Sequence, residues 1–139
     1  MRIGLGMAAL GRPGYINLER DTHLSSRTIE GMQNQANLVM DELFQHCKSL
    51  SSLSSKNDND SNNIVPWLDC ARSYGLSEKF VGDYLRTNNI SPSDVYVSSK
   101  WGYTYVADWN VELEDGQPHE VKDHSLEVCV CVCVYLIPT

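Results

Sequence analysis

The sequence has no apolar run of the roughly 18 residues that a membrane-spanning helix requires, so none is expected. It is also short of cations: 11 Lys and Arg stand against 18 Asp and Glu, for a formal charge of -7. Phosphate contacts need a surplus of basic side chains, so neither a general nucleic-acid partner nor an anionic membrane surface is expected. The N-terminal segment lacks the continuous apolar region of a secretory signal, because Gly4, Gly6, Gly11, Pro13 and Gly14 interrupt it. It lacks as well the Arg- and Ser-rich, acid-poor bias of a transit peptide. These absences predict a cytoplasmic chain in which Cys47 and Cys70 stay reduced and serve as packing residues.

What is present is globular in character. Of the 139 residues, 42% are apolar and 21% charged, enough for one domain with its own core. Residues 2–11, RIGLGMAALG, predict a short strand running into a glycine-rich loop, and Arg12-Pro13-Gly14 forbids an immediate helix. From about Thr28 to Cys47 the apolar residues Ile29, Met32, Ala36, Val39, Met40, Leu43, Phe44 and Cys47 recur at spacings of three and four. That pattern predicts an amphipathic helix, with Glu30 suited to its positive end. Residues 49–63, SLSSLSSKNDNDSNN, predict a flexible surface insertion.

A mostly apolar strand is expected over residues 64–70, although Pro66 removes one ladder donor and is uneasy in the centre of a sheet. Ser77 can cap the next helix, with Glu78 in its first turn and Phe80, Val81, Tyr84 and Leu85 as its buried stripe. Asn88-Asn89 closes it. Residues 94–100 predict a third strand, 101–109 an aromatic-rich loop and 110–122 a polar loop, with a further helix able to begin at Ser125. Strands alternating with helices point to βαβ units and a parallel sheet.

The spacing Gly4-x-Gly6-x-x-Ala9 raises a dinucleotide-binding fingerprint. Gly11, Pro13 and Gly14 occupy the first turns of the helix that such a site needs, and no second strand ends in an acid about 20 residues later. A glycine-rich loop at the mouth of a different α/β fold fits better.

The chemistry-bearing segment is L68-DCARSYGLSE-E78. Asp69 ends the second strand, Tyr74 follows before the helix, and Lys100 closes the third strand. Side chains at the carboxyl ends of neighbouring parallel strands converge if those strands lie side by side. An ammonium beside a phenol stabilises the phenolate, and a carboxylate holds the ammonium charged and in place. Such a set makes a general acid that protonates a carbonyl oxygen as hydride reaches the carbon. An ordinary ion pair beside a loop tyrosine is the other reading, and spacing alone leaves both open.

The blocks LDCARSYGLSEKFVGDYL and VYVSSKWGYTYVADW, with the opening IGLGMAALGRPGYINL, resemble the aldo-keto reductases over about residues 2–126. The resemblance implies a (β/α)8 barrel that uses NADPH or NADH to interconvert carbonyls and alcohols. It implies an Asp, Tyr, Lys and His tetrad, of which Asp69, Tyr74 and Lys100 match the first three members. The fourth has no match: His124 comes before the segment where the family places its third helix, and His119 sits in a Gly/Pro loop. Met7, Ala8 and Trp101 fall where the family lines its substrate and nicotinamide pocket, with plain packing equally open for Trp101.

The resemblance stops at Glu127, where Val and Cys begin to alternate. Cys129, Cys131 and Cys133 would share one strand face, at a spacing that suits neither a zinc site nor a disulfide between them. An uninterrupted GT repeat translates as Val-Cys-Val-Cys, so residues 128–139 read as normally non-coding DNA carried into a truncated product, with pairing to the third strand as an improvised role.

The expected fold is therefore an incomplete (β/α)8 barrel of about three strand–helix units. It comprises a partial domain over 1–127 with insertion 49–63, and a tail outside the family pattern. A closed barrel needs eight strands and typically about 250 residues. The expected function is hydride transfer between NAD(P)H and a carbonyl or alcohol, with little or no activity in this chain alone. The rival expectation is a non-catalytic fragment or splice product that self-associates or pairs with a full-length relative.

Overall fold

Short apolar runs and 3.6-periodic segments alternate along the chain, and they build a parallel sheet backed on one side by helices. The computed structural model describes residues 2–14, 26–54 and 64–127. Strand β1 (Arg2–Gly6) pairs parallel with β2 (Val65–Asp69), and β2 pairs parallel with β3 (Tyr96–Ser98). The order β1-β2-β3 gives a mixed α/β chain with a three-stranded parallel sheet.

Side chains alternate between the faces of a strand, so the register sorts them. Leu5, Leu68 and Val97 are partners across the sheet and turn toward the helices. Gly4, Trp67 and Tyr96, then Gly6, Asp69 and Ser98, fall on the opposite face. Pro66 does sit in the central strand. The Cys70 amide donates toward β3, to the Ser98 carbonyl, so the nitrogen of Pro66, four residues earlier, points the same way. The β3 ladder begins only opposite Trp67, so the missing donor costs no sheet bond there.

The glycine-rich loop expected after β1 is instead one helical turn, α1 (Ala8–Gly11), closed by Gly11 N–H donating to Met7 O at 2.8 Å. It stops at Arg12, whose backbone is extended. Helix α2 (Ile29–Ser54) begins where Thr28 Oγ1 accepts the Gly31 amide at 3.1 Å, which satisfies one free donor of its first turn. Met32, Ala36, Met40 and Cys47 are buried as the spacing predicts, but Ile29 at the first position is exposed.

The helix also outruns its expected end, so residues 49–54 are helical and not part of a flexible insertion. Serines there bond their own helix and so do not compete with it: Ser49, Ser51 and Ser52 donate to the carbonyls of Gln45, Cys47 and Lys48, each at 2.9 Å. Residues 55–63, the rest of the expected insertion, lie outside the described residues.

Helix α3 (Ser77–Thr87) buries Phe80, Val81, Tyr84 and Leu85 as expected. Ser77 is not its cap. Leu76 holds that position without a side-chain bond, and the buried Ser77 hydroxyl turns inward to Ala71 O at 3.3 Å. Asn88 and then Asn89, at φ 51°, end the helix in a conformation that a short polar side chain tolerates. The helices α2 and α3 meet through the rings of Phe44 and Tyr84, 5.7 Å apart, and through Tyr84 Oη donating to Asp41 at 2.8 Å. The core is formed where Met7, Met32, Met40, Leu68, Phe80 and Val81 interlock, each fully buried.

Beyond β3 two expected loops are strands. The strand β4 (Gly102–Tyr105) pairs antiparallel with β5 (Glu120–Asp123) in a separate two-stranded sheet. It is fastened to the first sheet by the Tyr105 amide on Arg72 O at 3.3 Å, and by an Arg12–Glu120 ion pair at 3.1 Å. Trp109 fastens the connecting loop, edge-on to Phe80 and bonded to Arg27 O at 2.8 Å. The third strand is shorter than expected, and Lys100 lies just past its end. The Val-Cys tail, and all but the first residues of the helix expected from Ser125, lie outside the described residues. No described helix is long and apolar enough to cross a membrane.

Candidate functional site

The carboxyl ends of β2 and β3 are neighbours, and this brings Asp69, Tyr74 and Lys100 together as their positions predict. Lys100 Nζ lies 2.8 Å from Asp69 Oδ1, 2.6 Å from Oδ2 and 3.1 Å from Cys70 O. The same ammonium sits over the ring of Tyr74, 4.9 Å from its centroid.

Burial pushes the Asp69 carboxyl up, but hydrogen bonds from Lys100 and Ser98 and the ammonium's charge outweigh this and hold it below its ordinary value. Burial likewise pulls Lys100 down, while the bond to Asp69, its charge and smaller contributions from Tyr74 hold the ammonium above its ordinary value. Both partners are open to solvent, at 36% and 49% of their side-chain surface, so screening keeps the pair's contribution to stability small.

The signs set a pH window. A carboxyl lowered on folding contributes above its unfolded value and loses that contribution as pH falls through the folded one. A lysine raised on folding contributes below its unfolded value and loses it as pH rises through the folded one. The urea-midpoint difference between wild type and Asp69→Asn should therefore be constant from about pH 5 to 9. It should shrink in acid, and a difference that grows on acidification would contradict the pairing.

The loop carrying Tyr74 is fixed at both ends. Arg72 N–H donates to Lys100 O at 3.0 Å, tying the loop to the end of β3. Tyr74 N–H donates to Ala71 O at 2.9 Å, Gly75 turns the chain at φ 61°, and Leu76 N–H donates to Gly11 O at 2.8 Å. Below the loop the Arg72 guanidinium meets Glu78 Oε2 at 3.0 Å, and Ser99 Oγ donates to Glu78 Oε1 at 2.6 Å. Cys70, between Asp69 and this loop, is buried. Desolvation first, and the charge of Glu78 second, push its thiol up to about 12, which leaves it a packing residue and not a nucleophile.

The remaining sequence candidates fall differently. Met7 donates its amide to Asp69 O at 2.9 Å, but its side chain is fully buried in the core. Ala8 is half-buried. Trp101 is half-exposed, with its ring edge-on to His124 at 5.2 Å, so His124 packs beside the residue that follows Lys100. His119 lies against Gly14 instead.

Two contacts went unread in the sequence. Trp67 Nε1 donates to Ser98 Oγ at 2.9 Å, and Ser98 Oγ donates to Asp69 Oδ1 at 2.8 Å. The signal was available in W67-x-D69 and S98-x-K100, because residues two apart on a strand share a face.

No protein-family model, curated protein or solved structure matches this chain.

Proposed function

We propose that the chain is an aldo-keto reductase-like oxidoreductase unit, formed from the first strands of a (β/α)8 barrel. In this reading Tyr74 would give its proton to a carbonyl oxygen, and the hydride would be supplied by NADPH or NADH if a completed barrel held it. Lys100 offsets the charge that develops on the phenol, and Asp69 holds Lys100. The observation that carries the reading is the two-oxygen contact of Asp69 with Lys100, whose ammonium also lies over the Tyr74 ring, at adjacent ends of parallel strands.

The described residues supply the acid–base half of the reaction and do not fit a coenzyme. Met7 is buried, and the face beside Asp69 bears Gly4, Gly6, Trp67, Tyr96 and Ser98. The cations at that end are each engaged by a carboxylate, Lys100 by Asp69, Arg72 by Glu78 and Arg12 by Glu120. A coenzyme phosphate would need cationic or backbone donors, and hydride transfer without a held nicotinamide has no proximity advantage.

The chain alone is therefore expected to show no saturable NADPH binding at micromolar concentration by fluorescence. The chemistry is tested by joining residues 1–127 to the later strands of an aldo-keto reductase barrel. Aldehyde reduction by that chimera should fall about 100-fold or more on Tyr74→Phe. A folded chimera whose rate ignores the phenol would refute the reading.

A second reading is favoured by the face of the sheet that the described residues leave uncovered. Parallel sheets are normally covered on both sides, yet Trp67 and Tyr96 are 41% and 46% exposed there. A non-catalytic unit that pairs with a full-length relative through this face would co-purify with it. A monomeric preparation that ignores the relative would count against this reading.

A further inference from the structure

Behind the Asp69–Lys100 pair lies a second line of contacts whose direction is fixed by the chemistry of the groups. Trp67 and Asp69 are two apart on β2, and Ser98 stands opposite Asp69 on β3, so all three share the face turned away from α2 and α3. An indole nitrogen can only donate and an ionised carboxylate can only accept, whereas a hydroxyl has one proton and two lone pairs. The 2.9 Å bond from Trp67 therefore occupies a lone pair of Ser98 and leaves its proton for Asp69 Oδ1, 2.8 Å away. The ammonium of Lys100 has three protons. Three oxygens lie within its reach, namely Asp69 Oδ1, Asp69 Oδ2 and Cys70 O. Oδ1 thus takes two donors, one on each side, and the carboxylate cannot rotate without losing one of them.

We infer that Ser98 is a positioning residue for the Asp69–Lys100 pair, oriented by the indole of Trp67 so that its only proton locks Asp69 with both oxygens toward Lys100. The inference deepens the reading of Asp69, Tyr74 and Lys100 as an acid–base site and rests on it. The titratable groups that meet around Asp69 are Lys100 beyond β3, and Tyr74 and Cys70 from the segment after β2; β1 brings only Gly6 opposite it. Two of the donors on Asp69 are neutral or cationic side chains of β3 and its extension, so that strand end orients the carboxylate.

The test is a pH titration of the full chain by NMR, following the Asp69 carboxyl carbon and the Trp67 indole proton together. In the wild type the indole resonance should move with the Asp69 midpoint, because the hydroxyl couples the two. Ser98→Ala should raise the Asp69 midpoint and abolish the indole response, and Ser98→Thr, which keeps the hydroxyl, should restore both. Trp67→Phe leaves the hydroxyl but removes its orienting donor, so it should also raise the midpoint, by less, and it carries the test should Ser98→Ala lose the fold. An unmoved midpoint in these variants, or an indole that still titrates with Asp69 after the hydroxyl is gone, would overturn the inference. Failure of NADPH binding or of turnover leaves this titration untouched, so the two readings fail separately.

Discussion

Gly11→Ala is expected to cost about 3 kcal/mol of stability, at the upper end of the usual penalty for overpacking. A Cβ at this position would run into the backbone carbonyl of Tyr74, and would lie 2.6 Å from Ser77 Cβ and 2.9 Å from the Ser77 nitrogen. The obstacles are backbone and a buried side chain, so neither can swing aside. Separation is opposed by the Leu76 N–H bond to Gly11 O, at 2.8 Å, which pulls the two segments together at the same point. Gly75, facing Gly11 with φ 61°, occupies a region that L side chains rarely adopt, so the contact demands glycine on both sides.

Because this contact seats the Tyr74 loop on α1, the substitution should displace the phenol as well as weaken the fold. Gly6→Ala is the matched control, since a Cβ there meets nothing within 4 Å. Urea unfolding should find the Gly6 variant close to wild type and the Gly11 variant near the edge of stability, given that domains hold only about 5–15 kcal/mol in all. Equal midpoints for the two would refute the close docking.

The parallel core and the meeting of Asp69, Tyr74 and Lys100 were legible because each rests on local pattern. The 3.6-periodic stripes of α2 and α3 and the apolar runs of β1 and β2 declare their burial within the segment itself. Asp69, Tyr74 and Lys100 could be placed because βα connections put strand ends at one edge of a parallel sheet. The β4–β5 hairpin was not legible. Its second strand, EVKD, carries one apolar residue, and what holds it is pairing across the intervening loop together with Arg12, far away in sequence.

The end of α2 was missed for the opposite reason. Serine signals a break when its hydroxyl competes with the helix, but here three hydroxyls bond back along it. The capping role expected of Ser77 failed because the close approach of Gly11 draws that residue inward, and burial then demanded a partner at Ala71 O. The barrel closure implied by the family resemblance requires strands beyond β3, and the described residues end at 127.

Arg72→Met is expected to cost about 3 kcal/mol, the lower end of the range for stripping one partner from a buried ion pair, because the arginine is itself partly exposed. Glu78 is only 4% exposed. Loss of the guanidinium, 3.0 Å away, leaves its carboxylate with the Ser99 hydroxyl and little water. The cost is thus the stranding of a charge more than the loss of an attraction. Glu78→Met in the same background removes the stranded charge and should return much of the stability. The double variant should therefore be more stable than the sum of the single losses by at least about 1 kcal/mol.

Additive losses would mean that Glu78 is solvated in the folded chain and that the pair does not anchor α3. The consequence for the site follows from connectivity. Glu78 in the first turn of α3 holds Ser99, the residue between Ser98 and Lys100, while Arg72 N–H holds the Lys100 carbonyl. This one buried pair sets both the loop that carries the phenol and the strand end that carries the ammonium, so disturbing it should loosen Tyr74 from Lys100 even though neither side chain is changed.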